Sequence, residues 1–251
     1  MGTSLMKKII SSVMAVLFVL LVWLAGALFL NKPFLPTPQS ALAAFFSLWL
    51  DGVLEQHFLI SSYRVIVSIA IAFIMAVPLG LILGRNEKLD RLVSPVIYVL
   101  YPLPKIVFLP IIVVLMGLGN LPKIFLITII IFFQVAVTAR DASKGVPFQS
   151  IQSMRSLNAS TWQIYLHLIW PYCLPKVLTS LRISLGTAVA VLFLAETFAS
   201  TDGVGYFILD AMERREYGGM YAGIIAMGLL GLLVYCVVDY IEYVYCRWQK
   251  L

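Results

Sequence analysis

Few residues of this 251-residue chain have the types and spacing that catalysis or metal binding requires. The two histidines, His57 and His167, lie far apart in the sequence, and the three cysteines, Cys173, Cys236 and Cys246, show no CxxC or metal-ligand spacing. No HExxH, GxSxG or P-loop sequence occurs. We therefore predict no catalytic residues, no metal site and no cofactor on this chain. Any ATP-driven step would need a nucleotide site on another subunit.

The polar residues that could do chemistry are ionisable side chains inside long apolar runs. Lys105 follows Pro104 near the middle of one run, and Arg64 and Glu196 lie near the ends of two others. Charges in hydrocarbon are costly, so they face a protein interior or a wet cavity. Lys105, Pro104, Glu196 and Arg64 are our candidates for lining a solute path. The alternatives are that Lys105 snorkels or pairs with Glu196, and that Glu196 pairs with Arg64 in a structural role.

The elements that carry these residues follow from composition. The chain is 61% hydrophobic and 12% charged, whereas soluble proteins carry about 25% charged residues. This excludes a disordered chain and disfavours a soluble enzyme. A membrane helix needs about 20 apolar residues. Six apolar runs are long enough or nearly so, which predicts an all-α integral membrane protein with six transmembrane helices: Ile9–Leu30, Phe58–Gly84, Leu92–Gly117, Ile124–Ala139, Val177–Ala199 and Tyr221–Val244.

Loop charges predict the orientation. Eleven loop Lys and Arg residues fall on one side of the six runs and four on the other. Since cytoplasmic loops carry the excess of basic residues, both termini and the Arg140–Lys176 connection are predicted to be cytoplasmic. The net charge of +6 is scattered in short clusters between apolar runs. This pattern indicates a lipid bilayer as the partner and argues against nucleic acid.

The cytoplasmic connection contains a short amphipathic segment. Pro147 can begin a helix, and Ile151, Met154 and Leu157 recur at helical spacing. Asn158 then tolerates the left-handed conformation that commonly ends a helix. We predict a helix at about 147–158 that lies outside the bilayer and either binds a partner or is simply solvated. The candidate docking residues are Gln149, Ile151, Gln152, Ser153, Met154, Arg155, Leu157 and Asn158.

This segment resembles the EAA loop of bacterial ABC importer permeases. The family pattern is Glu-Ala-Ala, three residues, Gly, nine residues, then Ile-x-Leu-Pro. Here the same spacing holds Gln152-Ser153-Met154, then Asn158, then Leu168-Ile169-Trp170-Pro171. The spacing matches, but nearly every identity differs. Asn for Gly preserves the tolerance of positive φ, whereas Gln152 lacks the acidic group of the family's Glu.

Other segments resemble the nitrate, sulfonate and taurine branch of these permeases. The likeness extends from about Ser61 to the C-terminus. It is carried by Ser62-Tyr63-Arg64, Val77-Pro78-Leu79-Gly80-Leu81-Ile82-Leu83-Gly84, Tyr101-Pro102-Leu103-Pro104-Lys105, Leu109-Pro110, Phe132-Phe133, Leu181-Arg182, Ala195-Glu196 and Asp202-Gly203-Val204-Gly205-Tyr206.

The resemblance implies the transmembrane subunit of an ATP-driven importer in the bacterial inner membrane. It implies a homodimer, two cytoplasmic ATPase subunits that bind ATP and magnesium, and an extracytoplasmic solute-binding protein. The division it suggests is residues 1–60 for the first transmembrane helix and outer loop, and 61–251 for the permease core. The expected solute is a small anion such as a sulfonate, taurine or nitrate. The alternatives are an importer of a vitamin precursor such as a pyrimidine, a stand-alone secondary transporter, or a membrane enzyme.

Overall fold

The described part of the chain is built from helices. The computed structural model describes residues 2–198 and 200–250, so Ala199, the last residue of the fifth predicted run, lies outside it together with Met1 and Leu251. The α-helices are α1 (Gly2–Leu30), α2 (Pro38–Leu50), α3 (Val53–Arg85), α4 (Glu87–Leu100), α5 (Leu109–Met116), α6 (Asn120–Lys144), α7 (Phe148–Ser156), α8 (Thr161–Ile164), α9 (Trp170–Thr197), α10 (Val204–Glu213) and α11 (Tyr217–Tyr245).

Four helices are long and apolar enough to cross a membrane, which confirms the predicted fold class. They are α3, α6, α11 and the continuous helix Thr161–Thr197. A bent pair, Glu87–Leu100 with Lys105–Met116, makes a fifth candidate. The apolar part of α1 over which side chains are described, Met14–Leu30, is shorter than these spans. Four or five spans are therefore present in the described residues, and the count of six stays a prediction.

The third predicted run is not one straight helix. The chain leaves α4 at Leu100, forms a 3₁₀ turn at Lys105–Phe108 and continues as α5, with a bend of 82° between the two halves. Pro102 and Pro104 lie in the break. Proline lacks a backbone N–H and disfavours helical conformation in the residue before it. Two prolines separated by one residue therefore interrupt the helix where apolarity alone predicted a continuous span.

The fifth span begins earlier than the predicted Val177. It runs from Thr161 through a π-helical turn at Tyr165–Ile169 into α9. In that turn, the Trp170 N–H donates to the Tyr165 carbonyl, five residues back. The wide turn directly precedes Pro171, which has no N–H to donate. The helix therefore continues through a segment whose prolines and polar residues had suggested a separate loop.

The core is organised around direct contact between α3 and α6. A Cβ atom at Gly80 would lie 2.6 Å from the Ala136 carbonyl oxygen, and one at Gly84 would lie 2.5 Å from the Arg140 carbonyl oxygen. Two glycines four residues apart thus allow the two backbones to touch, as small-xxx-small pairs do in membrane helices. The Ser143 hydroxyl also donates to the Leu81 carbonyl at 3.0 Å. This contact fixes the position of α6, whose C-terminal end leads into α7.

Candidate functional site

The predicted short helix in the connection is present as α7, and its ends have the expected chemistry. Pro147 precedes it with φ −58° and ψ 132°. Asn158 follows it with φ 57°, as predicted. The Asn158 N–H donates to the Arg155 carbonyl at 2.9 Å and the Ala159 N–H donates to the Met154 carbonyl at 3.1 Å. These two bonds form the Schellman ending, which satisfies carbonyls that the last helical turn leaves unpaired.

The apolar residues of α7 divide between two surroundings. Ile151 is only 3% exposed and belongs to the main core, and Met154 packs against that core while half-buried. Leu157, predicted on the same stripe, is 79% exposed. Ile151 and Met154 therefore hold the helix against its own protein. The outward surface of the segment, which we call the α7 face, consists of Gln149, Gln152, Ser153, Arg155, Leu157 and Asn158.

Both ends of α7 are tied to membrane helices. On its N-terminal side, Val146 is buried, and the Tyr172 hydroxyl of α9 donates to the Gly145 carbonyl at 3.0 Å. On its C-terminal side, Ser160 and Gln163 form a capping box that begins α8. Reciprocal bonds of this kind fix the direction in which a helix leaves its loop. These bonds connect α7 directly to α9 and, through the buried Val146, to the end of α6.

At the opposite end of the bundle, Arg64 and Glu196 form the predicted pair. Arg64 Nη1 lies 2.7 Å from Glu196 Oε1, and both side chains are 0% exposed. The same carboxylate accepts the Ser61 hydroxyl at 2.7 Å and the Gly205 N–H at 2.8 Å. A buried charge is tolerated when it is paired and its remaining hydrogen-bonding capacity is satisfied. The pair joins α3 to α9 and to the start of α10.

The rest of the Arg64 guanidinium holds the loop after α9. Its Nε donates to the Asn120 side chain at 2.8 Å. Its Nη1 donates to the Asp202 carbonyl, and its Nη2 donates to the Asp202 carboxylate. Gly203 follows with φ 100°, and a Cβ there would lie 2.4 Å from the Glu196 carboxyl group. We call Ser61, Arg64, Glu196, Asp202 and Gly203 the buried clamp. Arg64 and Glu196, proposed as path residues, are sealed inside it in this conformation.

Lys105 and Pro104 lie apart from the clamp, at the break between α4 and α5. Lys105 Nζ lies 3.0 Å from the Tyr101 carbonyl oxygen and 4.8 Å from the centre of the Phe133 ring. The alternative that Lys105 pairs with Glu196 is wrong, because the Glu196 carboxylate is engaged within the clamp. Pro104 shapes the break and offers no donor.

Two charge networks were not predicted from the sequence. Asp90 of α4 accepts from Arg140, from Lys144 at 2.6 Å and from Ser94 at 2.6 Å, which ties α4 to the end of α6 next to α7. In the sequence, Arg140 and Lys144 contributed only to the count of basic loop residues that predicts orientation. No sequence pattern pairs them with Asp90.

Arg182 forms the second network. Its Nη2 lies 2.6 Å from a carboxylate oxygen of Asp239 and 2.5 Å from a carboxylate oxygen of Glu242. The contact joins α9 to α11, and it forms because packing brings two distant segments of sequence together.

Known proteins are similar to this chain in sequence and in fold. The family model described as "Binding-protein-dependent transport system inner membrane component" matches residues 76–243. The taurine transport system permease protein TauC of Escherichia coli is 32% identical, over 84% of this chain and 79% of the relative. The putative aliphatic sulfonates transport permease protein SsuC of Bacillus subtilis is 29% identical, over 86% of this chain and 78% of the relative.

A more distant relative and a solved structure complete the comparison. The formylaminopyrimidine transport permease protein ThiX of Halalkalibacterium halodurans is 25% identical, over 93% of this chain and 94% of the relative. An inward-facing structure of the MetNI methionine ABC transporter superposes with a TM-score of 0.66 at 19% identity, covering 78% of this chain and 97% of that chain. At that identity the superposition concerns the fold alone.

Proposed function

The chain belongs to the inner-membrane components of binding-protein-dependent transport systems, the permeases of ABC importers, and we propose that α7 is the coupling helix through which a separate ATPase drives it. The single observation that supports this role best is the geometry of α7. Its Ile151 side is buried in the membrane bundle, while the α7 face is open to solvent. A helix anchored on one side and open on the other can bind a partner and transmit its movement.

The proposed assembly follows from the family and from the lack of a P-loop sequence in this chain. Two copies of this permease would form the membrane pore, two cytoplasmic ATPase subunits would bind ATP and magnesium, and an extracytoplasmic protein would deliver the solute. The basic-loop bias supports cytoplasmic termini and a cytoplasmic α7. ATP binding would favour one arrangement of the bundle through its different affinity for the two arrangements. The connections at Gly145 and Ser160 would carry that change into α6 and α9.

The proposed solute is a small anion of the sulfonate or taurine kind. Support comes from two relatives at 32% and 29% identity, whose names specify taurine and aliphatic sulfonates. The second candidate, a pyrimidine-type vitamin precursor, has support from the relative at 25% identity whose name specifies formylaminopyrimidine. Uptake of labelled ethanesulfonate and of labelled formylaminopyrimidine, measured in cells that lack their own importers for both, distinguishes the two.

The docking proposal is tested by placing a charge on the α7 face. Leu157→Glu alters a side chain that is 79% exposed, so the fold should persist. We expect co-purification of the co-expressed ATPase subunit to fall at least about tenfold, equivalent to about 1.4 kcal/mol of binding free energy. The reason is that a carboxylate buried in an apolar contact remains unpaired.

The matched control is Leu50→Glu, which alters a leucine that is 84% exposed at the end of α2, on the predicted outer side. It should leave ATPase association unchanged. If Leu157→Glu retains the ATPase subunit and normal uptake while both variants are present in the membrane at equal amounts, α7 is not the docking element.

A further inference from the structure

We propose that the cavity beside Lys105 is an anion-binding site within the translocation path, in which the lysine ammonium selects for negatively charged solutes. The inference rests on the proposed transport function and assigns it a site. The cavity has a volume of about 830 Å³ and lies between α3, the α4–α5 break, α5 and α6. Its walls include Met75, Leu103, Phe125 and Phe133, and Lys105 is the charged residue among those that line it.

The cavity reaches the level of the middle of two helices long and apolar enough to span a membrane. Phe133, whose ring lies under the Lys105 ammonium, is close to the midpoint of α6, which extends from Asn120 to Lys144. On the other wall, Ile71 and Met75 occupy the middle of α3. A solute that crosses the bilayer must pass this depth, and a charge at this depth is far from either interface.

The non-helical backbone beside Lys105 requires hydrogen-bond partners from water or from protein. Tyr101 and Leu103 lie in the non-helical segment and are 45% and 39% exposed. Lipid cannot satisfy free backbone groups, so irregular backbone at membrane depth is tolerated only against protein or in a water-filled cavity. The Lys105 ammonium satisfies part of this need by donating to the Tyr101 and Leu103 carbonyls, at 3.0 and 3.5 Å. An ammonium has three donors, so a further N–H remains for a solute.

The ammonium has no carboxylate partner in the described residues. Its neighbours are two carbonyl oxygens and the rings of Tyr101 and Phe133. Glu196, near the C-terminal end of α9, is fully buried and paired within the clamp. A mobile anion is the species that this charge would attract.

The walls define the kind of anion. Aromatic and aliphatic side chains surround a single positive group, so the site suits a compact anionic head on a short apolar body. A short alkanesulfonate has this form. A cation would meet the Lys105 charge with no carboxylate to offset it, and like charges in a medium of low dielectric constant repel strongly.

Charge-selective labelling of the cavity tests the proposal in membrane vesicles that contain the full chain. Leu103→Cys is introduced in a Cys236→Ser background, in which the remaining cysteines, Cys173 and Cys246, are buried. The labelling rates of anionic sulfonatoethyl methanethiosulfonate and cationic trimethylammonioethyl methanethiosulfonate are then compared. We expect the anionic reagent to react faster, and the ratio of the two rates to fall about tenfold with Lys105→Gln.

Three controls separate charge from structure. Lys105→Arg keeps the positive charge and should keep the preference for the anionic reagent. Lys88→Gln removes an exposed charge from the far end of α4 and should leave the ratio unchanged. In cells that also express the partner ATPase and binding protein, ethanesulfonate uptake should fall with Lys105→Gln and be retained with Lys105→Arg.

Each adverse outcome has one meaning. If neither reagent labels Leu103→Cys, or if Lys105→Gln leaves the ratio unchanged, Lys105 does not create an anion site and the inference is wrong. That result leaves coupling through α7 intact, since ATPase association is measured separately with Leu157→Glu. Conversely, charge-selective labelling in a protein that binds no ATPase subunit would overturn the proposed function and leave the anion site standing.

Discussion

The buried clamp should contribute several kcal/mol to the stability of the bundle, and Glu196→Gln measures that contribution. The glutamine has the same shape, but its amide carries no charge, while the Arg64 guanidinium stays 0% exposed. Removing one partner of a buried ion pair costs about 3–5 kcal/mol, because the other charge is left in a medium of low polarity. Asp202 still contacts Arg64 and its side chain is 39% exposed, so we expect the lower end of that range.

The assay uses the buried thiols as reporters of unfolding. Cys173 is 0% exposed, and Cys236 is replaced by serine so that labelling of the native protein stays low. A maleimide dye then reports thermal unfolding in detergent micelles. Glu196→Gln should lower the midpoint by several degrees, since about 1 kcal/mol corresponds to about 2–4 °C in soluble domains of comparable size.

Two comparisons make this prediction refutable. Asp210→Asn removes one partner of a more exposed pair with Arg214 at 3.0 Å, and such surface pairs contribute about 0–1 kcal/mol. The double variant Arg64→Gln with Glu196→Gln should be more stable than the sum of its single variants implies, because it leaves no unpaired charge between these two positions. If Glu196→Gln melts at the same temperature as Asp210→Asn, the reasoning about the clamp is wrong.

Two further predictions concern backbone positions. Gly203→Ala should lower the melting midpoint as Glu196→Gln does, because its Cβ would lie 2.4 Å from the Glu196 carboxyl group; Gly52→Ala, at φ 77° with nothing within 4 Å, is the control for backbone strain alone, and equal losses would refute the collision. Asn158→Val should reduce ATPase co-purification, because a β-branched residue at φ 57° strains the end of α7 by about 1–3 kcal/mol. Asn158→Gly adopts that φ readily and should retain association, and equal behaviour of the two variants would count against the prediction.

The clamp and the α7 face lie at opposite ends of the same bundle. The clamp ties the N-terminal parts of α3 and α6 to α9 and the loop before α10, while Asp90 ties the C-terminal end of α6 to α4. Lys105 lies between these levels, where the backbone is broken. In the proposed transport cycle, the rigid ends would transmit motion from α7, and the break would be the region where the cavity changes shape.

Local features were predictable because they depend on neighbours in sequence. Apolar runs, prolines and loop charge are enough to predict membrane helices, and the spacing of Ile151 and Met154 with Asn158 is enough to predict α7 and its ending. The pairing of Arg64 with Glu196 was also predictable, since two buried charges of opposite sign near one predicted interface have few other partners. Whether the α7 face binds an ATPase stays a prediction from the same sequence features.

What only the tertiary structure decided depends on packing between distant segments. Apolarity alone does not reveal the 82° break at Lys105 or the burial of Ile151 on the stripe that leaves Leu157 exposed. Similarly, the partners of Asp90 and Arg182 come from helices dozens of positions away. The hydrophobic effect is non-directional, so it determines which segments enter the membrane but not which helices pack together. The close fit of helix surfaces, such as the two glycines of α3 against α6, decides which polar groups meet.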